Sequence, residues 1–149
     1  MKSLLTISLL LGLLVAKPVL ASADSTCTKE PLACNIYFEA RGEKTKGQYA
    51  VAFTTVNRLK SGKYGESMRS VVFAKNQFSW TNRHRKITDP EAFEKARKIA
   101  KDVRTWSADP ATYRKKDVTG GAKYFHKKGT HPRWNKRVTA RIGKHVFYG

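Results

Sequence analysis

Ile36-Tyr37-Phe38-Glu39-Ala40-Arg41-Gly42-Glu43 is the stretch on which the reading of this chain turns. It sets one carboxylate, Glu39, among apolar and aromatic neighbours near the end of an expected helix. A glycine and a second carboxylate follow at once. With 30 Lys and Arg against 11 Asp and Glu, an acid in such surroundings needs a reason. Working back from it, Thr28 is expected to cap a helix beginning near Pro31, because proline is favoured at the first helical position. Leu32, Ala33, Ile36, Tyr37 and Ala40 then form an apolar stripe at helical spacing, and Gly42 stops the helix. Glu39 lies beside the stripe. Burial there raises a carboxyl pKa, as a general acid at neutral pH requires, whereas Arg41 opposes the rise if its guanidinium reaches the carboxylate.

Upstream, Lys2 and the apolar run Leu4 to Val15 precede Ala21-Ser22-Ala23. The run is short for a bilayer span, and the A-x-A pattern predicts a secretory signal over 1–23, cleaved after Ala23. Any contact with a membrane is then transient, through that signal. Removing Lys2 and Lys17 leaves 28 bases and 11 acids, so the mature 24–149 domain carries +17. A field of that size serves solubility and nonspecific adhesion, or selects an anionic polymer: nucleic acid, membrane or wall. Export argues against nucleic acid, and no motif resembles a nucleic-acid reader. Export also makes Cys27 and Cys34, the only cysteines, candidates for one disulfide.

Downstream, a largely apolar helix is expected from Thr45 to Leu59, buried on most sides. Arg58 near its end pairs with Glu43 or Glu66, or is solvated. A short helix over 67–73 follows, then the loop Asn76-Gln77-Phe78-Ser79-Trp80. Its amide and rings suit either sugar recognition or simple core anchoring. Asp89-Pro90 opens a third helix whose buried stripe runs from Phe93 to Trp106. Asp109-Pro110 marks a turn or a short helix, and Thr119-Gly120-Gly121 is a break. Arg137 to Tyr148 alternates as a small hairpin, with Val138, Ala140 and Ile142 on one face. The fold class is therefore α+β and helix-dominated, in one domain.

There is no phosphate-binding loop and no nucleophile elbow. His126, His131 and His145 match no usual zinc spacing, though a three-histidine site can be drawn from them; no metal or cofactor is expected. The other acids sit at helix starts, in turns or beside cations, which leaves Glu39 and Glu43. Glycosidases commonly place two carboxylates across the scissile bond, and no second acid here has an apolar setting. A single acid fits a substrate-assisted cleavage. On peptidoglycan, Glu39 protonates the glycosidic oxygen and the muramic 6-hydroxyl closes onto C1, which is lytic transglycosylation.

The stretch Leu32 to Arg58, including Gly47-Gln48-Tyr49-Ala50-Val51-Ala52 and Asn57-Arg58, resembles the spore cortex-lytic type of cell wall hydrolase. Asn76 to Trp80, Gly121 to His126, Trp134 and Ile142 to Tyr148 resemble that family's later blocks, in order. The resemblance implies a lysozyme-like fold with a small C-terminal β hairpin, a peptidoglycan substrate and one catalytic glutamate, which falls on Glu39. It implies Gln77, Tyr124 and Phe125 as cleft residues, His145 as a cleft or a core residue, and Glu43 as a supporting acid. Phe38 stands where a small residue is common, so the cleft floor differs. No separate wall-binding domain is expected; the +17 surface does the anchoring, and the protein is expected to be a monomer. Cortex lysis, wall remodelling and a phage endolysin all fit. The alternatives are an N-acetylmuramoyl-L-alanine amidase, which usually wants zinc, and a cationic protein that binds wall or membrane without catalysis.

Overall fold

A computed structural model describes residues 23–83 and 85–149. The expected leader up to residue 22, and His84, lie outside them. Six helices come first: α1 (Ala23–Lys29), α2 (Pro31–Ala40), α3 (Thr45–Ser61), α4 (Met68–Phe73), α5 (Pro90–Ser107) and α6 (Pro110–Lys116). A 3-10 turn, Ser79–Asn82, lies between α4 and α5, and three strands close the chain: β1 (Tyr124–Lys127), β2 (Val138–Ile142) and β3 (His145–Tyr148).

Pro31 starts α2 as expected, but Thr28 is not its cap. It lies inside α1, and Glu30 occupies the cap position without a side-chain cap bond. The Cys27–Cys34 disulfide joins α1 to α2, which supplies by a covalent tie the end-fixing that a cap would give.

Helix α3 is the centre. Ala50 to Val56 are all buried, and α2 and α5 pack on it. Two threonines are accommodated within it because Thr54 and Thr55 donate to the carbonyls of Ala50 and Val51 at 2.9 and 2.8 Å. The helix runs two residues past Leu59 and stops at Gly62, which is left-handed (φ +67°). Asp89 accepts from the Ala92 N–H at 2.9 Å and caps α5; Phe93, Ala96, Ile99, Ala100 and Val103 form its buried stripe. Trp106 is only half-buried, stacked on Tyr49 and Phe53.

The sheet is antiparallel in the order β1-β3-β2. The expected hairpin is β2–β3, and Tyr124–Lys127 adds a strand that was read only as a segment after a break. Tyr-Phe-His-Lys does not alternate apolar with polar, so its period gives no strand signal. A bulge between Val138 and Ala140 corrects the expected face as well. Ala140 and Ile142 oppose Phe147 and His145, but Val138 opposes Tyr148 and turns outward, 38% exposed.

One polar hub seats β1 against the helices. Asn57 donates to Asp117 and to the Ala122 carbonyl, both at 3.0 Å, and accepts from the Tyr113 hydroxyl at 2.8 Å. Asp117 takes the N–H groups of Thr119 and Gly121. These bonds satisfy a buried asparagine and fix the two-glycine turn that launches β1. Tyr124 to Lys127 are thereby placed across from the end of α2.

Candidate active site

Glu39 is held at the C-terminal end of α2, whose buried face fixes its direction. Asn35, one turn earlier, donates to Thr55 at 3.0 Å and accepts from the Trp80 indole at 2.9 Å. Trp80 in turn stacks on Phe38, with ring centroids 4.8 Å apart. Tyr37 accepts the N–H groups of Thr88 and Asp89, both at 3.1 Å, and so ties α2 to the start of α5. The helical turn leading into Glu39 is thus immobilised.

Glu39 is half-buried and opens into a cleft of about 350 Å³. Gln77, Phe125 and His145 line the cleft with it. Phe38 lines it too, so the aromatic departure does lie in its wall. Glu39 is the only carboxylate among the described lining residues. Burial pushes its pKa above the ordinary carboxylate value, against the pull of Lys127, Arg85 and Arg58. Arg41 takes no part; its guanidinium lies over the Tyr37 ring, 4.7 Å from the centroid.

Two expectations need correction. Arg58 pairs with neither Glu43 nor Glu66, and it is not a solvated helix end. It is buried, its Nε donates to the Lys123 carbonyl at 2.6 Å, and its guanidinium lies 5.1 Å from the Phe78 ring centroid. It borders the cleft directly. Tyr124 is not among the described residues lining the cleft. Its hydroxyl bonds that of Tyr64, and its ring lies near the Arg58 guanidinium, so it backs the cleft cation. Of the two readings of the loop from Asn76 to Trp80, core anchoring holds for Phe78 and Trp80, both 4% exposed, and both also border the cleft beside Gln77.

Glu43 is a tie between two loops. Its carboxylate accepts the Lys144 N–H at 3.1 Å, its carbonyl accepts the Gln48 amide at 3.0 Å, and its Oε1 lies 3.9 Å from His145 Nδ1. Gly143 (φ +56°) passes so close that a Cβ there would fall 1.9 Å from Glu43 Oε2. His145 is buried at the back of the cleft with its ring edge-on to Phe125, centroids 5.3 Å apart. Desolvation lowers its pKa, with Glu43 pulling the other way and Lys127 and His126 adding to the fall. The imidazole is therefore neutral at pH 7. Neither of its nitrogens has a hydrogen-bond partner among the described residues.

The histidines do not form the zinc site that could be drawn. His126 is bonded to the Lys127 carbonyl and the Tyr148 hydroxyl. No three His, Cys, Asp or Glu side chains among the described residues gather as a metal site. Sequence reasoning missed Arg85 and Lys127 as cleft cations. Strand alternation would have put Lys127 on the Phe125 side of β1; no local signal marks Arg85.

Residues 42–148 match the family described as Cell Wall Hydrolase. The chain belongs to the cell wall hydrolase family. The match begins three residues after Glu39, so the acid stands at its edge. Two spore cortex-lytic enzymes show the same kinship. One, from Halalkalibacterium halodurans, is 31% identical over 78% of this chain and 33% of its own length. Another, from Oceanobacillus iheyensis, is 30% identical over 78% of this chain and 39% of its own length. This cell wall hydrolase thus spans about a third to two fifths of those curated relatives. Its fold is that of the catalytic domain of the Bacillus cereus SleB protein, with TM-score 0.65 and 27% identity over 84% of this chain and 91% of that one. The catalytic domain of the germination-specific lytic transglycosylase SleB from Bacillus anthracis gives 0.62 and 25%, over 82% and 93%. The fold is accordingly α+β, helix-dominated and lysozyme-like.

Proposed function

We propose that this cell wall hydrolase cleaves the glycan strand of peptidoglycan as a lytic transglycosylase, with Glu39 as its one catalytic acid. The observation that carries the reading is the cleft itself. Among its described lining residues it holds a single carboxylate, raised in pKa by burial and set among cations and aromatic rings. Glu39 in its protonated form donates to the glycosidic oxygen as the C1–O bond breaks. The resulting carboxylate then takes the proton of the muramic 6-hydroxyl as that oxygen closes onto C1. No second acid is required, because the sugar supplies the nucleophile. The named activity of the Bacillus anthracis relative supports the same reaction class.

The other cleft groups have roles that follow from their chemistry. Gln77 presents an amide to sugar hydroxyls or to the N-acetyl group. Phe125 and Phe38 offer apolar faces to the sugar rings. His145, buried with both ring nitrogens unpartnered among the described residues, backs the Phe125 ring edge-on and so fixes its direction in the cleft. Lys127 and Arg85 face the carboxylates of the lactyl group and stem peptide. The amino-terminal leader read from the sequence brings the enzyme to the wall.

The test is Glu39→Gln in a turbidity assay on purified peptidoglycan, with circular dichroism to confirm folding. General acid catalysis of this kind contributes about 10²–10⁴-fold, so lysis falls by at least two orders of magnitude. A well-folded variant that lyses at the parental rate sinks the proposal. The amidase alternative predicts loss of activity in EDTA and free stem peptides as products. A non-catalytic cationic protein predicts that Glu39→Gln keeps its effect and that salt abolishes it.

A further inference from the structure

We propose that Trp134, Tyr148 and His126 form a sugar-binding platform that carries the glycan strand beyond the cleavage cleft. This rests on the peptidoglycan reading and adds to it a subsite on the outer face of the sheet.

The platform begins with an exposed ring. Trp134 lies in the segment between β1 and β2 and keeps 40% of its surface open, more than any other large apolar side chain described as exposed. It is nevertheless held in place. Its ring meets those of Tyr124 and His126 at 5.8 Å and that of Tyr148 at 5.6 Å. Strand register explains the grouping. Tyr124 opposes Tyr148, and His126 is two residues along from Tyr124, so all three share the sheet face turned away from Phe125 and Phe147.

The rings beneath Trp134 are fixed by hydrogen bonds. A carbonyl only accepts, so His126 Nδ1 carries its proton to the Lys127 carbonyl at 2.7 Å. In the neutral ring Nε2 is then the acceptor of the Tyr148 hydroxyl, at 2.8 Å. His126 also stacks on Tyr148, with centroids 5.4 Å apart. Little side-chain freedom is left to lose when a ligand arrives.

The shape names the ligand. Trp134 and Tyr148 pack edge to face at 90°, which fixes the indole while 40% of it stays open to a ligand. A pyranose presents a face of C–H groups whose hydrogens suit the negative face of an aromatic ring. Lys136 Nζ lies 3.9 Å from the Tyr124 centroid, beside the platform, where it meets a carboxylate on the same sugar. Continuity with the cleft chooses the strand being cut over any other occupant, because His126 borders the Glu39 cleft and supports Trp134 at once.

The test uses the protein carrying Glu39→Gln, so that binding is read without turnover. Peptidoglycan oligosaccharides of two, four, six and eight sugars, with and without stem peptides, are titrated by calorimetry. Affinity rises with length. Adding Trp134→Ala weakens the six- and eight-sugar ligands about tenfold, with or without peptides, and erases the dependence on length; Trp134→Phe keeps most of it. Melting temperature controls for folding. Long oligosaccharides bound as tightly by Trp134→Ala as by its parent would overturn the platform and leave the cleft reading intact. A loss seen only with peptide-bearing ligands would overturn it too, by making the occupant the stem peptide. If the Glu39→Gln parent binds none of the series, the peptidoglycan reading itself fails.

Discussion

Gly143→Ala tests the tie that seats the β2–β3 turn against the helical body. Two costs add. Gly143 has φ +56°, where an L side chain costs about 1–2 kcal/mol. The new methyl would also lie 1.9 Å from Glu43 Oε2, so the carboxylate must leave its place. It then gives up the Lys144 N–H, a charged hydrogen bond worth about 1.5–3 kcal/mol. The expected loss is about 3 kcal/mol, or about 12 °C in melting temperature at roughly 4 °C per kcal/mol. The decisive arm is a double-mutant cycle. In a Glu43→Ala background the clash has no partner and only the backbone cost remains. Gly143→Ala then costs about 1–2 kcal/mol, and the coupling is about 2 kcal/mol. Urea denaturation of the four proteins measures it. An equal cost with and without the Glu43 side chain would refute the steric argument.

Further outcomes follow from the site. Burial raises the pKa of Glu39 in the folded state, so between its ordinary value of 4.5 and the raised value the folded protein binds the extra proton, and stability falls as pH rises. Glu39→Gln is therefore more stable than the parent at pH 7, with the gain vanishing below about pH 4.5; denaturation curves at the two pH values check this. Lys127 is the first of the three cations that hold the Glu39 pKa down. Lys127→Met moves the alkaline limb of kcat/KM to higher pH, and an unmoved limb would remove Lys127 from the site's electrostatics. Replacing Cys27 and Cys34 together by serine opens a loop of seven-residue separation and costs about 2 kcal/mol; melting with and without reductant shows the loss in the parent only.

Much of this was legible because it is local. Pro31, Asp89-Pro90 and Gly62 mark helix ends by their own backbone preferences, and the α5 stripe repeats at helical spacing over eighteen residues. Glu39 stood out as an acid beside an apolar stripe. What was not legible depends on distance along the chain. Arg58 gave no sign that its partner would be the Lys123 carbonyl, 65 positions on. The cations that oppose Glu39 arrive from the end of β1, the loop before α5 and the last turn of α3, while the nearby Arg41 turns to Tyr37. Val138 was misplaced because a bulge shifts register without changing composition. Tyr124 was placed one layer too near the substrate because that placement came from the family resemblance alone, and Tyr64, whose hydroxyl it bonds, lies 60 positions away.

The most direct test of the central claim is mass spectrometry of the muropeptides released from purified peptidoglycan, with Glu39→Gln digested in parallel. One acid with the sugar's own 6-hydroxyl as nucleophile predicts 1,6-anhydromuramyl ends from the parent and no release by the variant. Reducing ends would contradict it, by showing that water attacks C1 with help from a group beyond Glu39.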